Sequence, residues 1–256
     1  MRFLALLLGV LMGLPAAAAQ CTAKSGEFTA ALVELYTSEG CDSCPPADRW
    51  LSRLGGTYQT GRVVPLSLHV DYWDYIGWKD PYAKRAFSDR QRKLTQLQKL
   101  AFVYTPQVML QGSDFRGWGS PAFEKAVAAI NARKPRARLE LTITALKADR
   151  LAVEAVADVP DPADRRDAGL YIAAYENKLS SAVTAGENKG RTLSHDYVVL
   201  EWQGPLDLPA AGRLADHRDL PLLPKAVPAS SGVVAFVQNR RTAEVLQALM
   251  LPACPR

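Results

Sequence analysis

After residues 1–19 the sequence holds no apolar run long enough to cross a bilayer, a task that takes roughly 20 residues. It has no internal repeat and no low-complexity tract past that point, so repeat and fibrous architectures are excluded. It also lacks a ribbon of basic and aromatic residues. The one basic cluster, Arg133-Lys134-Pro135-Arg136-Ala137-Arg138, reads as a linker between two domains, and nucleic-acid binding is not expected. Cysteine is scarce, with 4 in 256 residues, and the placement of those four carries most of the information.

Arg2, the apolar residues 3–14, Pro15 and Ala16-Ala17-Ala18-Ala19 have the form of a signal peptide with an A-x-A cleavage site, giving a leader over residues 1–19. The alternative is an uncleaved N-terminal anchor. Cys21 raises the question of lipidation, but Gln20 stands where a lipoprotein signal needs a small residue, so simple export is expected. Loss of Arg2 leaves 30 basic against 26 acidic residues, a net charge of +4. The expected location is periplasmic or secreted, with no membrane span in the mature chain. In such a compartment a cysteine pair persists as a disulfide.

Cys41-Asp42-Ser43-Cys44 follows the apolar, β-branched residues 30–36 and leads into a helical pattern over residues 47–54. A dithiol between a strand and a helix is the thioredoxin-like arrangement. There a thiolate faces backbone N–H groups and the positive end of the helix dipole. If Cys41 pairs with Cys44, Cys21 and Cys254 remain, either as a structural disulfide joining the two ends or as two free thiols.

The first half alternates elements: strand 30–36, helix 47–54, strand 62–70, helix 88–102 capped by Ser88, strand 103–110, and a helix over 120–133 with Pro121 at N1. The second half changes character. Residues 139–145 and 151–159 read as a hairpin, residues 170–175, 198–202 and 232–238 as strands, and 242–251 as a terminal helix. The expected fold is therefore α/β: a thioredoxin-like domain over 27–134 followed by a smaller, antiparallel, sandwich-like β domain over 137–251.

Three further features converge on the cysteine pair. Thr105-Pro106 precedes a strand; in a thioredoxin-like fold this proline is cis and rests against the dithiol, with Thr105 offering backbone groups to substrate, whereas the alternative is a trans proline opening the strand. The segment from His69 to Tyr82 emerges at the carboxyl edge of the sheet. Tyr72, Trp73 and Trp78 then line a substrate groove, or else form the core of a closed loop. His69 and Asp71 are candidates for proton exchange with Cys44, against the plainer reading of a buried, hydrogen-bonded histidine. Residues 186–197, with His195 opening a strand, serve either a domain interface near the dithiol or a plain hairpin.

The runs Val33-Glu34-Leu35-Tyr36-Thr37-Ser38-Glu39-Gly40-Cys41-Asp42-Ser43-Cys44-Pro45-Pro46-Ala47-Asp48, His69-Val70-Asp71-Tyr72-Trp73-Asp74, Gly77-Trp78-Lys79-Asp80-Pro81, Arg90-Gln91 and Tyr104-Thr105-Pro106-Gln107 resemble the exported, thioredoxin-like proteins of domain-of-unknown-function family 1223. So do Gly186-Glu187-Asn188, Arg191-Thr192-Leu193 and His195-Asp196. The resemblance implies a thioredoxin-like domain with a C-terminal β extension and supplies no reaction.

Asp42 opposes a thiolate at Cys41, and Pro45 disfavours helical geometry at Cys44, so the helix is expected to start late. Both leave Cys41 less acidic than in a strong oxidant, which favours a reductant or a static disulfide. The leading expectation is an exported thiol–disulfide oxidoreductase without a cofactor. Cys41 would attack, Cys44 resolve, and Pro106 and Thr105 shape the groove. Its partners would be protein or small-molecule thiols and disulfides, and a membrane or periplasmic redox protein. The alternatives are a non-enzymatic interaction domain with a structural Cys41–Cys44 disulfide, and a Cu(I) or Zn(II) module using Cys41, Cys44 and His69, for which no fourth ligand is evident.

Overall fold

The computed structural model describes residues 21–58, 61–223 and 227–254, so the leader expected over 1–19 lies outside the described residues. The architecture is mixed α/β, with few helices and mostly antiparallel strands. In chain order the strands are β1 (Cys21–Lys24), β2 (Ala31–Thr37), β3 (Val63–His69), β4 (Gln107–Leu110), β5 (Ser113–Asp114), β6 (Arg138–Leu146) and β7 (Arg150–Asp158). They continue with β8 (Ala168–Glu176), β9 (Leu179–Ala182), β10 (Thr192–His195), β11 (Val198–Asp207), β12 (Arg213–Pro221), β13 (Ser231–Asn239) and β14 (Val245–Pro252). The helices are α1 (Pro45–Thr57), α2 (Arg85–Leu97), α3 (Pro121–Asn131) and the short α4 (Pro162–Arg165).

β2 and β3 are buried along their whole length and pair in parallel, with α1 as the crossover between them. Neither alternates apolar with polar residues, because both faces of each strand are covered. Leu32 and Tyr36 point with Leu66 and Leu68 toward Phe87 and Leu94 of α2. Ala31, Val33 and Leu35 point the other way, toward Leu51 and Leu54 of α1 and Phe123, Val127 and Ile130 of α3.

The sheet does not stop where the first half of the chain ends. It runs β14-β13-β8-β11-β3-β2-β4-β5, and a parallel contact of Val198 with Ser67 joins the two halves. A four-stranded sheet, β1-β6-β7-β12, covers the β8–β13–β14 end through Leu139, Leu141 and Val153 against Leu170, Ile172 and Val233. The two expected units thus share one sheet, and β1, from before the first unit, pairs with β6 of the second. Cys21 on β1 and Cys254 are joined as a disulfide.

Several expected elements are corrected. The terminal helix over 242–251 is instead β14, hydrogen-bonded to β13. Its Ala, Leu, Gln and Met residues favour a helix locally, but Leu246, Leu249 and Leu251 face one core while Val245 and Ala248 face another. Burial on both faces overrides propensity. Ser88 lies inside α2, whose N-cap is Lys84, because the Ser88 hydroxyl is engaged by Asp71. The same helix ends at Leu97, well short of 102. Pro45 does not delay α1: it sits in the first turn, with Cys44 as an N-cap of helical geometry at φ −77° and ψ −39°. His195 closes β10 rather than opening a strand.

Candidate functional site

The chain leaves β2 at its carboxyl end, turns through Ser38, Glu39 and Gly40, and enters α1 at the cysteines. The turn closes on itself, with the Gly40 N–H donating to Ser38 Oγ at 3.1 Å and the Cys41 N–H to the Ser38 carbonyl at 3.2 Å. Cys41 and Cys44 form a disulfide, and each residue is 0 % exposed. Ser43 Oγ lies 3.3 Å from Cys41 Sγ. Asp48 follows Cys44 by one helical turn, its N–H donating to the Cys44 carbonyl at 3.1 Å, so both side chains share the inner face of α1.

The turn that carries the cysteines is gripped from the second half of the chain. β9 and β10 pair only with each other among the described residues and form an arm whose tip spans residues 183–191. Asn188, fully buried, donates through Nδ2 to the carbonyls of Glu39 at 2.9 Å and Cys41 at 2.8 Å. Arg191 holds its Oδ1 at 2.8 Å, and Glu187 accepts the Asp42 N–H at 3.0 Å. Gly186 (φ 71°) lies against the segment after β3, where a Cβ would sit 3.3 Å from Trp78 Cβ. Both readings for residues 186–197 meet here: the segment belongs to the β9–β10 hairpin, and its tip lies beside the dithiol.

Behind the disulfide lie five buried ionisable side chains. His195 Nε2 is 3.0 Å from Glu39 Oε1, and its Nδ1 is 3.9 Å from Asp48 Oδ2. His69 Nδ1 is 2.7 Å from Asp80 Oδ2, and the two imidazole rings meet edge to face at 4.9 Å. Asp80 also accepts the N–H groups of Glu39 and Tyr82. His69 Nε2 and His195 Nδ1 have no hydrogen-bond partner. Burial pushes the Asp48 carboxyl above the usual range, although both histidines act to lower it. Burial works against a charge on His69, but the Asp80 carboxylate beside it prevails and holds the imidazole above its usual value. Burial likewise opposes the Asp80 carboxylate, and His69 outweighs that, keeping it low.

The residues expected from sequence divide. His69 sits in the cluster, buried and hydrogen-bonded to the Asp80 carboxylate. Asp71 does not join it: its carboxylate accepts the Ser88 hydroxyl and so is tied to α2. Tyr72 donates to Gln91, Trp73 to Thr105 Oγ1 at 2.7 Å, and Trp78 to Glu39 Oε2 at 2.8 Å, so all three brace the frame. Tyr75, in the same segment, faces solvent at 83 % exposure. The Thr105–Pro106 peptide is cis. Pairing of Gln107 with Tyr36 sets Pro106 beside the end of β2, at the edge that carries the cysteines. A cavity of about 410 Å³ lined by Phe102, Tyr104, Arg116 and Trp118 opens on the Tyr104 side of this peptide. Among the described residues no three His, Cys, Asp or Glu side chains are disposed to hold a metal ion, and Cys41 and Cys44 are joined to each other.

Glu39, Asp48 and Asp80 were not singled out by sequence reasoning as site residues, and His195 only as part of the segment 186–197 read as a domain interface or a hairpin. Asp48 carried a usable signal, an acid one turn beyond Cys44 on the apolar face of α1. Asp80 had none, since only the folded sheet brings it in.

Two solved structures share this architecture. A protein of Agrobacterium tumefaciens, solved as a structural-genomics target, aligns with a TM-score of 0.64 at 23 % identity, covering 91 % of this chain and 98 % of its own. HBP35 of Porphyromonas gingivalis aligns with a TM-score of 0.61 at 16 % identity, covering 91 % of this chain and 79 % of its own. At such identities the likeness is one of fold. No curated protein matches the sequence. The family model described as "protein of unknown function (DUF1223)" matches residues 32–238, a span that takes in the cysteine pair, the five buried ionisable groups and the arm over them, and the chain belongs to that family.

Proposed function

We propose that the protein is an exported thiol–disulfide oxidoreductase whose α1–α3 and β2–β5 portion is thioredoxin-like, acting through Cys41 and Cys44. The observation that carries this reading is the disulfide at the head of α1 with a buried carboxyl, Asp48, one turn behind Cys44. The strand order β3-β2-β4-β5 supports the fold, with β2 and β3 parallel and β4 and β5 antiparallel.

A substrate thiolate attacks Cys41 Sγ, the S–S bond breaks, and Cys44 leaves with the electron pair. Asp48, whose hold on its proton is strengthened by burial, gives that proton to the sulfur. A second substrate thiolate then attacks the mixed disulfide and releases Cys41 as a thiolate facing the N–H groups of α1. The substrate dithiol is oxidised and the protein disulfide reduced; the same steps run in reverse. Because Cys41 is covered, the arm tipped by residues 183–191 has to swing aside before attack.

That cover also favours a second reading, an interaction domain with a permanent disulfide. Thiol trapping of Cys41–Cys44 across a dithiothreitol series separates the two. A potential between roughly −120 and −270 mV supports exchange, and one below about −300 mV supports the static disulfide. Cys41→Ser should abolish turnover of a disulfide substrate.

A further inference from the structure

His195 lies in the second half of the chain yet reaches a position between two carboxyl groups of the first. One nitrogen is committed, Nε2 at 3.0 Å from Glu39 Oε1. The other, Nδ1, faces Asp48 Oδ2 across 3.9 Å and bonds to nothing else. The titratable groups facing the ring are Glu39 from the turn after β2, Asp48 from α1, His69 from β3, and Tyr82 from the segment before α2, with Asp80 behind His69. An imidazole hydrogen-bonded at one nitrogen has its tautomer fixed, which leaves the other nitrogen to accept or donate as its charge changes. At 3.9 Å a neutral pair makes no hydrogen bond, but an imidazolium and a carboxylate close to roughly 2.7–2.9 Å.

Resting on the exchange reading above, we propose that His195 is a positioning residue for that reaction, acting through Asp48. In the disulfide state His195 donates Nε2–H to Glu39 and presents Nδ1 to the Asp48 carboxyl. Once Asp48 has given its proton to the departing Cys44 sulfur, a carboxylate is left in a buried site. His195 takes a proton from solvent at Nδ1 and closes on that carboxylate. The proton count balances: one passes from Asp48 to sulfur and one from water to His195. The second half of the chain thereby sets the proton affinity of an acid on α1.

His195→Gln tests this with two readouts on the whole protein: titration of the Asp48 carboxyl by carbon NMR in the reduced protein, and the pH profile of Cys41–Cys44 reduction by dithiothreitol. With its facing cation gone, the Asp48 midpoint should rise by about one pH unit, and the alkaline limb of the rate profile should rise with it. Unmoved midpoints in folded His195→Gln overturn the proposal. Glu39→Gln, which strips the ring of its anionic partner, should move both in the same direction and serves if His195→Gln does not fold. A wild-type disulfide that resists reduction sinks the exchange reading, while Asp48 titration in the oxidised protein still reports whether His195 governs it.

Discussion

Two groups of buried charges sit on the same sheet and are built to opposite specifications. Arg90 of α2 forks onto Glu34 of β2, with Nη2 at 3.0 Å from Oε2, and also reaches Gln238 at 3.0 Å. Its guanidinium lies within about 5 Å of the rings of Tyr171, Trp202 and Phe236. Burial opposes the Arg90 charge, and Glu34 more than reverses that. Beneath the disulfide, by contrast, both histidines keep a ring nitrogen unbonded, and Asp48 meets His195 only at 3.9 Å. A buried pair that satisfies its donors is a strut, costly to halve. A buried set that leaves nitrogens unused has somewhere to put a proton.

The largest expected effect falls on the strut. Glu34→Ala strands the Arg90 charge and should cost about 3–5 kcal/mol in urea unfolding while the thiol-trapping potential stays put. A loss under about 1 kcal/mol would erase the contrast. Asp48→Asn should do the reverse. Its carboxyl is raised, so its stabilising contribution is complete below the unfolded value near 3.9 and disappears as pH climbs through the folded one. Stability at pH 7 should therefore hold or increase, while reduction of the disulfide slows by about a hundredfold. A destabilised, kinetically normal variant would make Asp48 a strut as well.

Smaller effects sharpen the picture. Asn188→Ala removes the two hydrogen bonds that tie the arm to the Glu39 and Cys41 carbonyls, along with the one from Arg191, and dithiothreitol should reduce Cys41–Cys44 about tenfold faster. An unchanged rate would mean that Asn188 does not hold the cover shut. His69 is raised and Asp80 lowered, so His69 stabilises fully below its unfolded value near 6.5 and Asp80 above its own near 3.9. Stability from the pair fades as pH rises through the folded value of His69 and as it falls through that of Asp80. His69→Gln should flatten the alkaline fall in thermal midpoint, the slightest of these changes; an unaltered slope would count against the pair.

Legibility in the sequence followed locality. The strand, cysteine pair and helix at residues 31–57 could be read because each depends on neighbours a few residues away. Pro121 after Ser120 likewise marked the start of α3. What escaped depended on distant packing. Residues 242–251 look helical until β13 is set beside them, and the single sheet becomes visible only where β11 meets β3. His195 reaches Glu39 from 156 residues away, a distance over which no spacing rule operates. Asp71 misled because it sits next to the aromatic run, yet the turn it begins points it at α2.

The bridge between Cys21 and Cys254 has a mechanical meaning. It spans 233 residues, and in chain-entropy terms such a closure is worth about 5 kcal/mol. Tension applied to the two ends of the chain would run through a few residues and one S–S bond, bypassing the sheet altogether. A protease cut in any surface loop between them would leave the pieces tethered, so a nicked molecule would still migrate as one chain until a reductant is added.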